Sequence, residues 1–137
     1  MPLLTLKFDS EIGPILEIGI SKPASLITAG PPATLTRSKF LIDTGAACTS
    51  INPRLAQELN LPIIGKIQLR SVTHEIPSNL YLADMSLTLS QTITLTDIRL
   101  MEFPMAGHGM DGLLGRDILQ SCLFTVNGPD NSITLAC

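Results

Sequence analysis

Asp43 stands at the end of the run Phe40-Leu41-Ile42 and is followed by Thr44, Gly45 and Ala46. Apolar residues that run into a carboxylate, a small hydroxyl residue and a glycine are how a buried strand delivers an acid to a tight turn. The carboxylate costs free energy there unless it is hydrogen-bonded or shares a proton, and Thr44 and the amides of the Gly45 turn are the nearest donors. The chemistry open to such an acid is proton transfer. The plain structural alternative is a turn cap, and roughly a few per cent of chains of this length carry any given three-residue string by chance. The flanking pattern therefore has to decide.

Other chemistry-bearing residues read as structural. Asp84, Asp97, Asp111 and Asp117 could each supply a second acid. However, Asp84 and Asp97 fall at polar positions of strands, Asp111-Gly112 reads as a turn, and Asp117 opens a helix. Gly107-His108-Gly109-Met110-Asp111-Gly112 matches a dinucleotide fingerprint in form, yet no following helix and no acid about twenty positions on accompany it. Cys48 with His74 or His108 could make a thiol nucleophile and base, but a cysteine just past an apolar strand is expected as a small buried hydrophobe. Both histidines fall on loops. No HExxH or CxxC spacing and no Gly-x-Ser-x-Gly elbow is present.

A second stretch decides between the readings of Asp43. Met110 to Leu119 reads MDGLLGRDIL, an apolar pair, a glycine and a short helical pattern well downstream of Asp-Thr-Gly. The two stretches together resemble the retropepsin-like aspartic proteases, the family that includes the retroviral enzymes, over about Ile15 to Leu135. Leu41 to Ala46 match the family's catalytic turn, and Leu113, Leu114 and Gly115 match the strand that crosses beneath it.

The resemblance implies a mainly β fold. It is a closed β-barrel of the acid-protease type with one or two short helices, residues 1–137 forming one domain. A single Asp-Thr-Gly per chain implies a homodimer in which Asp43 from each subunit meets on the two-fold axis. Two carboxylates about 3 Å apart then share a proton, one acting as base on a water and the other as acid.

In that reading Asp43 is catalytic, Thr44 fixes the turn by hydrogen bonds across the axis, and Gly45 lets substrate backbone approach. Ala46, Ala47 and Leu113 are substrate-binding positions. A flap hairpin at about 67–89 adds Ser71, Val72 and Thr73. The partner is an extended polypeptide, and no cofactor or metal is implied. Two features depart from the retroviral pattern. The expected flap tip, within Arg70 to Ile76, has no glycine, and the acid that would pair with Arg116 is replaced by Ala47, leaving Asp117 or a backbone carbonyl for that role. The alternative function is a non-catalytic dimerisation or peptide-binding module on the same fold.

Composition narrows the partners further. The chain of 137 residues carries a net charge of -3 and no run of Lys or Arg, which excludes a nucleic-acid footprint. Apolar residues make up 45% and aromatic ones only 4%, so the core must be aliphatic. No stretch of eighteen apolar residues and no basic-then-apolar N-terminus appears, so a cytoplasmic protein with no membrane partner is expected. Three cysteines, an odd count, favour free thiols in a reducing compartment. A hairpin loop at Gly128 to Asn131 would set Asn127 opposite Ser132 and Cys122 opposite Cys137. Fraying of the chain end argues against their pairing.

The elements that would position these groups follow from periodicity. Strands are expected at Leu3 to Phe8, Ile15 to Ile20, Phe40 to Asp43, Thr92 to Glu102, Leu123 to Val126 and Ile133 to Leu135. Either of the last two could be the dimer edge. Ser21 to Arg37 reads as a long loop, Arg116 to Ser121 as a short helix, and Ile67 to Leu89 as a hairpin. Ser50 to Leu59 carries a helix signature with Asn52 as N-cap and Pro53 at the first helical position.

Overall fold

Alternating apolar and polar residues write most of this chain as strand, and the computed structural model, which describes residues 1–70, 75–104 and 109–137, is built accordingly. In chain order the elements are β1 (Leu3–Lys7), β2 (Ile15–Ser21), β3 (Thr36–Ile42), β4 (Ser50–Ile51), α1 (Pro53–Glu58) and β5 (Ile63–Arg70). They continue with β6 (Glu75–Thr88), β7 (Thr92–Glu102), β8 (Gly112–Leu114), α2 (Arg116–Leu119), β9 (Leu123–Asn127) and β10 (Ser132–Ala136). The fold is mainly β with two short helices, as expected. No helix among the described residues is long and apolar enough to cross a membrane.

Six strands run β2-β3-β8-β4-β7-β6 and close when β6 pairs back to β2, which removes free edges from the ring. β3 and β8 pair in parallel, as do β4 and β7, and the remaining contacts of the ring are antiparallel. The interior is aliphatic, with Ile18, Ile20, Ile51, Met85, Leu87, Leu100 and Leu114 fully buried, and Phe40 and Tyr81 supply its buried aromatics. Gly112 decides whether β8 can enter the ring. A Cβ there would collide with the Phe40 ring and with the carbonyl oxygen of Ser50, so only a glycine lets β8 slide between β3 and β4.

Several boundaries differ from expectation. β3 begins at Thr36, four residues early, because Ser38 points inward beside Phe40 and Ile42 while the ladder to β2 holds the polar residues between them. Ser50 and Ile51 are strand rather than helix, bonded to β7 and β8, and α1 starts at Pro53 behind the Asn52 side chain, which accepts the Arg54 N–H at 3.1 Å. The hairpin begins at Ile63 and pairs as far as Arg70 with Glu75, and residues 71–74 of its expected tip lie outside the described residues.

A second sheet, β1-β10-β9, carries the chain ends. Its register places Ser132 opposite Asn127 and Ala136 opposite Leu123, as the loop length predicts. β10 is therefore central, so Ile133 to Leu135 cannot be an open edge, whereas β9 is one. The expectation of free thiols is corrected here, since Cys122 and Cys137 form a disulfide, with Cα atoms 4.3 Å apart. The chain end does not fray, because β10 is held on both sides and Cys137 donates its N–H to Pro2 O at 3.1 Å. Cys48 is free and exposed, contrary to its expected burial.

Candidate active site

β3 ends at Ile42, and two backbone bonds fix where the next residue points. Ile42 donates its N–H to Pro14 O at 2.9 Å, and Asp43 donates to Leu114 O at 3.0 Å. The chain then turns, with Ala46 N–H bonding Asp43 O at 3.2 Å. Inside that turn Asp43 Oδ1 accepts the Gly45 N–H at 2.9 Å. The carboxylate is thus oriented by its own turn, half-buried, while Thr44 and Gly45 are exposed. Asp43 Oδ2 carries no hydrogen bond from the described residues.

The turn is clamped from beneath by β8 and α2. Arg116 and Asp117 donate their backbone N–H groups to Ala46 O at 2.9 Å and Ala47 O at 3.2 Å. The Arg116 guanidinium donates to Thr44 O at 2.8 Å, so a backbone carbonyl of the turn takes the place of the missing acid. Asp117 Oδ1 accepts Thr49 Oγ1 at 2.6 Å, and its Oδ2 accepts the Thr49 N–H at 2.9 Å. Thr49 Oγ1 in turn accepts the Gly115 N–H at 3.0 Å. Gly115 lies so close to the chain after the turn that a Cβ would stand 2.6 Å from the Cys48 carbonyl carbon.

The other carboxylates are engaged elsewhere. Asp84, buried, accepts the N–H groups of Ala24 at 3.0 Å and Asp97 at 2.9 Å. Asp97 accepts Ser25 Oγ at 2.7 Å, and Asp111 accepts the Lys39 N–H at 2.8 Å. Of the residues expected at the site, the structure gathers Asp43, Thr44, Gly45, Ala46 and Ala47 in one turn. Leu113 lies on β8, in register with Leu41. Ser71, Val72 and Thr73, and both histidines, lie outside the described residues. Among the described residues no cluster of three or more His, Cys, Asp or Glu could hold a metal ion. Thr49 escaped the reading of the sequence. Its one available signal was a polar residue wedged between the turn and an apolar strand.

The family model described as "Aspartyl protease" matches residues 33–118, well over half of the chain. No curated protein matches it. Among solved structures, a retropepsin-like aspartic protease from Rickettsia conorii superposes with a TM-score of 0.63 at 14% identity, covering 97% of this chain and 89% of that one. The retroviral protease-like domain of Ddi1 from Leishmania major gives 0.47 at 14% identity, covering 87% and 86%. With the Asp-Thr-Gly turn and the strand that braces it both inside the matched segment and on a retropepsin-like fold, the chain belongs to the aspartyl protease family.

Proposed function

We propose that the protein is an aspartic endopeptidase that works as a homodimer. The observation that carries this is the Asp43 carboxylate, half-buried at the turn, with one oxygen held by Gly45 N–H and the turn clamped by α2. One such turn is half of a two-carboxylate site. With Asp43 from a second copy beside it, like charges would keep the pair singly protonated. The ionised member takes a proton from a water, and the water oxygen attacks the peptide carbonyl carbon. The protonated member gives its proton to the carbonyl oxygen, and collapse of the tetrahedral intermediate passes a proton to the leaving amine.

In this proposal Thr44 bonds across the dimer axis and Gly45 leaves room for substrate backbone. Ala46, Ala47 and Leu113 border the substrate's side chains. The β5–β6 hairpin, with Ser71, Val72 and Thr73 on its connection, covers an extended peptide by strand addition. Because β10 is flanked on both sides, β9 is the one of the last two strands whose edge is open to the second copy.

The test is subunit mixing. Asp43→Asn should abolish cleavage of a peptide library while leaving fold and dimer intact, and excess mutant chains should suppress wild-type activity by forming dead heterodimers. Activity should be confined to the acidic side of neutrality, where a shared proton persists. Activity that tracks wild-type concentration alone, with a monomeric mass, would overturn the two-chain site. A folded dimer that binds peptide without cleaving it at any pH would instead establish the non-catalytic module.

A further inference from the structure

The terminal sheet has a second edge, on β1, and its backbone groups can be assigned a direction. Cys137 donates to Pro2 O at 3.1 Å and Phe8 donates to Asn131 O at 2.9 Å. With Leu3 opposite Ala136 and Lys7 opposite Ser132, the even residues of β1 turn their N–H and C=O toward β10 and the odd ones turn theirs away. Leu3 is satisfied on that outer side, since its N–H donates to Ser90 Oγ at 2.9 Å and its carbonyl accepts the Ser90 N–H at 2.9 Å. The outward groups of Thr5 and Lys7 have no strand partner among the described residues.

Beside this edge lies a groove of about 450 Å³, walled by Leu4, Leu6, Ile15, Leu16 and Leu35. That volume lies within the usual range of ligand sites, about 300–1,000 Å³. Leu35 seats against Gly19, where a Cβ would come within 2.7 Å of it. Leu4 and Leu6 show the groove their side chains, while Thr5, between them, shows the edge its backbone. A small apolar molecule would meet the walls and leave those backbone groups unused. An extended chain meets both.

We propose that the β1 edge and its groove bind an extended polypeptide segment by strand addition, with apolar side chains at two positions separated by one residue. The bound residue opposite Thr5 exchanges backbone hydrogen bonds with it, and its two neighbours, opposite Leu4 and Leu6, place their side chains in the groove. Glu17 and Arg37, 4.0 Å apart and both exposed at the rim, present balanced charge, so selection is by apolar spacing. The site uses neither Asp43 nor the β9 edge, so it stands or falls apart from catalysis and dimerisation.

The probe is a blocked pentapeptide, Thr-Val-Thr-Val-Thr, against a counterpart with lysine at both valines, titrated into the full chain by amide and methyl NMR. The valine peptide should shift the amides of Thr5 and Lys7 and the methyls of Leu4 and Leu6. The lysine peptide should not. Thr5→Pro removes one outward donor and the exposed Thr5–Thr134 hydroxyl bond of 2.9 Å but no backbone bond to β10, a change an edge strand tolerates, and Leu35→Asp charges an exposed wall. Each should weaken binding about tenfold, with amide exchange showing the β1–β10 ladder intact. Absence of binding, shifts confined to the Asp43 turn, equal binding of the lysine peptide, self-association through β1 in place of peptide binding, or unchanged affinity in both variants would overturn the proposal.

Discussion

Thr49 and Asp117 are 68 residues apart in sequence and meet through both carboxylate oxygens, at 2.6 Å to the threonine hydroxyl and 2.9 Å to its backbone N–H. This pair ties the segment leaving the Asp43 turn to the helix beneath it. The hydroxyl does double duty, since it also takes the Gly115 N–H. Thr49→Val keeps the shape, leaves the buried Gly115 N–H without its acceptor and leaves Asp117 Oδ1 with the Ile118 N–H alone, at a cost of about 2 kcal/mol. Denaturant unfolding should show that loss. The proposed peptide hydrolysis should lose kcat with little change in KM, because Thr49 is fully buried and can act only by positioning the turn.

Gly115 and Gly128 should respond oppositely to alanine. At Gly115 the added Cβ meets backbone atoms of Cys48 and Thr49, which cannot swing aside, while at Gly128 nothing lies within 4 Å. Gly115→Ala is expected to cost about 3 kcal/mol and Gly128→Ala no more than about 0.5 kcal/mol. Thermal melts of the two variants against the parent protein check this.

Val126 lies on the open edge strand β9 and is 55% exposed. A lysine on such an edge discourages pairing with another chain. Val126→Lys should weaken the proposed dimer about tenfold without unfolding the protein, seen as a shift in sedimentation and in the dilution at which activity falls. An unshifted dissociation would place the interface elsewhere.

Burial holds the Tyr81 phenol above its ordinary value, with the Asn79 hydrogen bond opposing and Glu102 adding to the effect. The folded state therefore keeps that proton longer than the unfolded chain does. The stability this lends is fully present below about pH 10 and is lost as pH rises through the folded value. Tyr81→Phe should flatten the alkaline end of a plot of urea midpoint against pH. An unchanged slope would show that the phenol is not the group responsible.

Local chemistry made much of this protein legible. The Asn52-Pro53 start of α1, the alternation of Thr92 to Glu102 and the loop length that sets Ser132 opposite Asn127 need only neighbouring residues, and the structure has all three. The family was legible for the same reason, because a catalytic turn and the strand beneath it are short motifs with strict residue types. Residues 36–39 were not, since Thr-Arg-Ser-Lys has the composition of a loop and becomes strand only when β2 offers a partner.

The sequence by itself determined which acid stands at the turn, which segments alternate, and that Cys122 would face Cys137 if the last hairpin formed. Only the tertiary structure decided that the chain end is held firmly enough for those cysteines to join, because that depends on β1 arriving from the far end of the chain to cover β10. It alone decided that Arg116 turns to the Thr44 carbonyl and that Asp117 secures Thr49. These bonds span some seventy residues, and a side chain's choice among distant partners is made by the packing that brings them together, which no local pattern encodes.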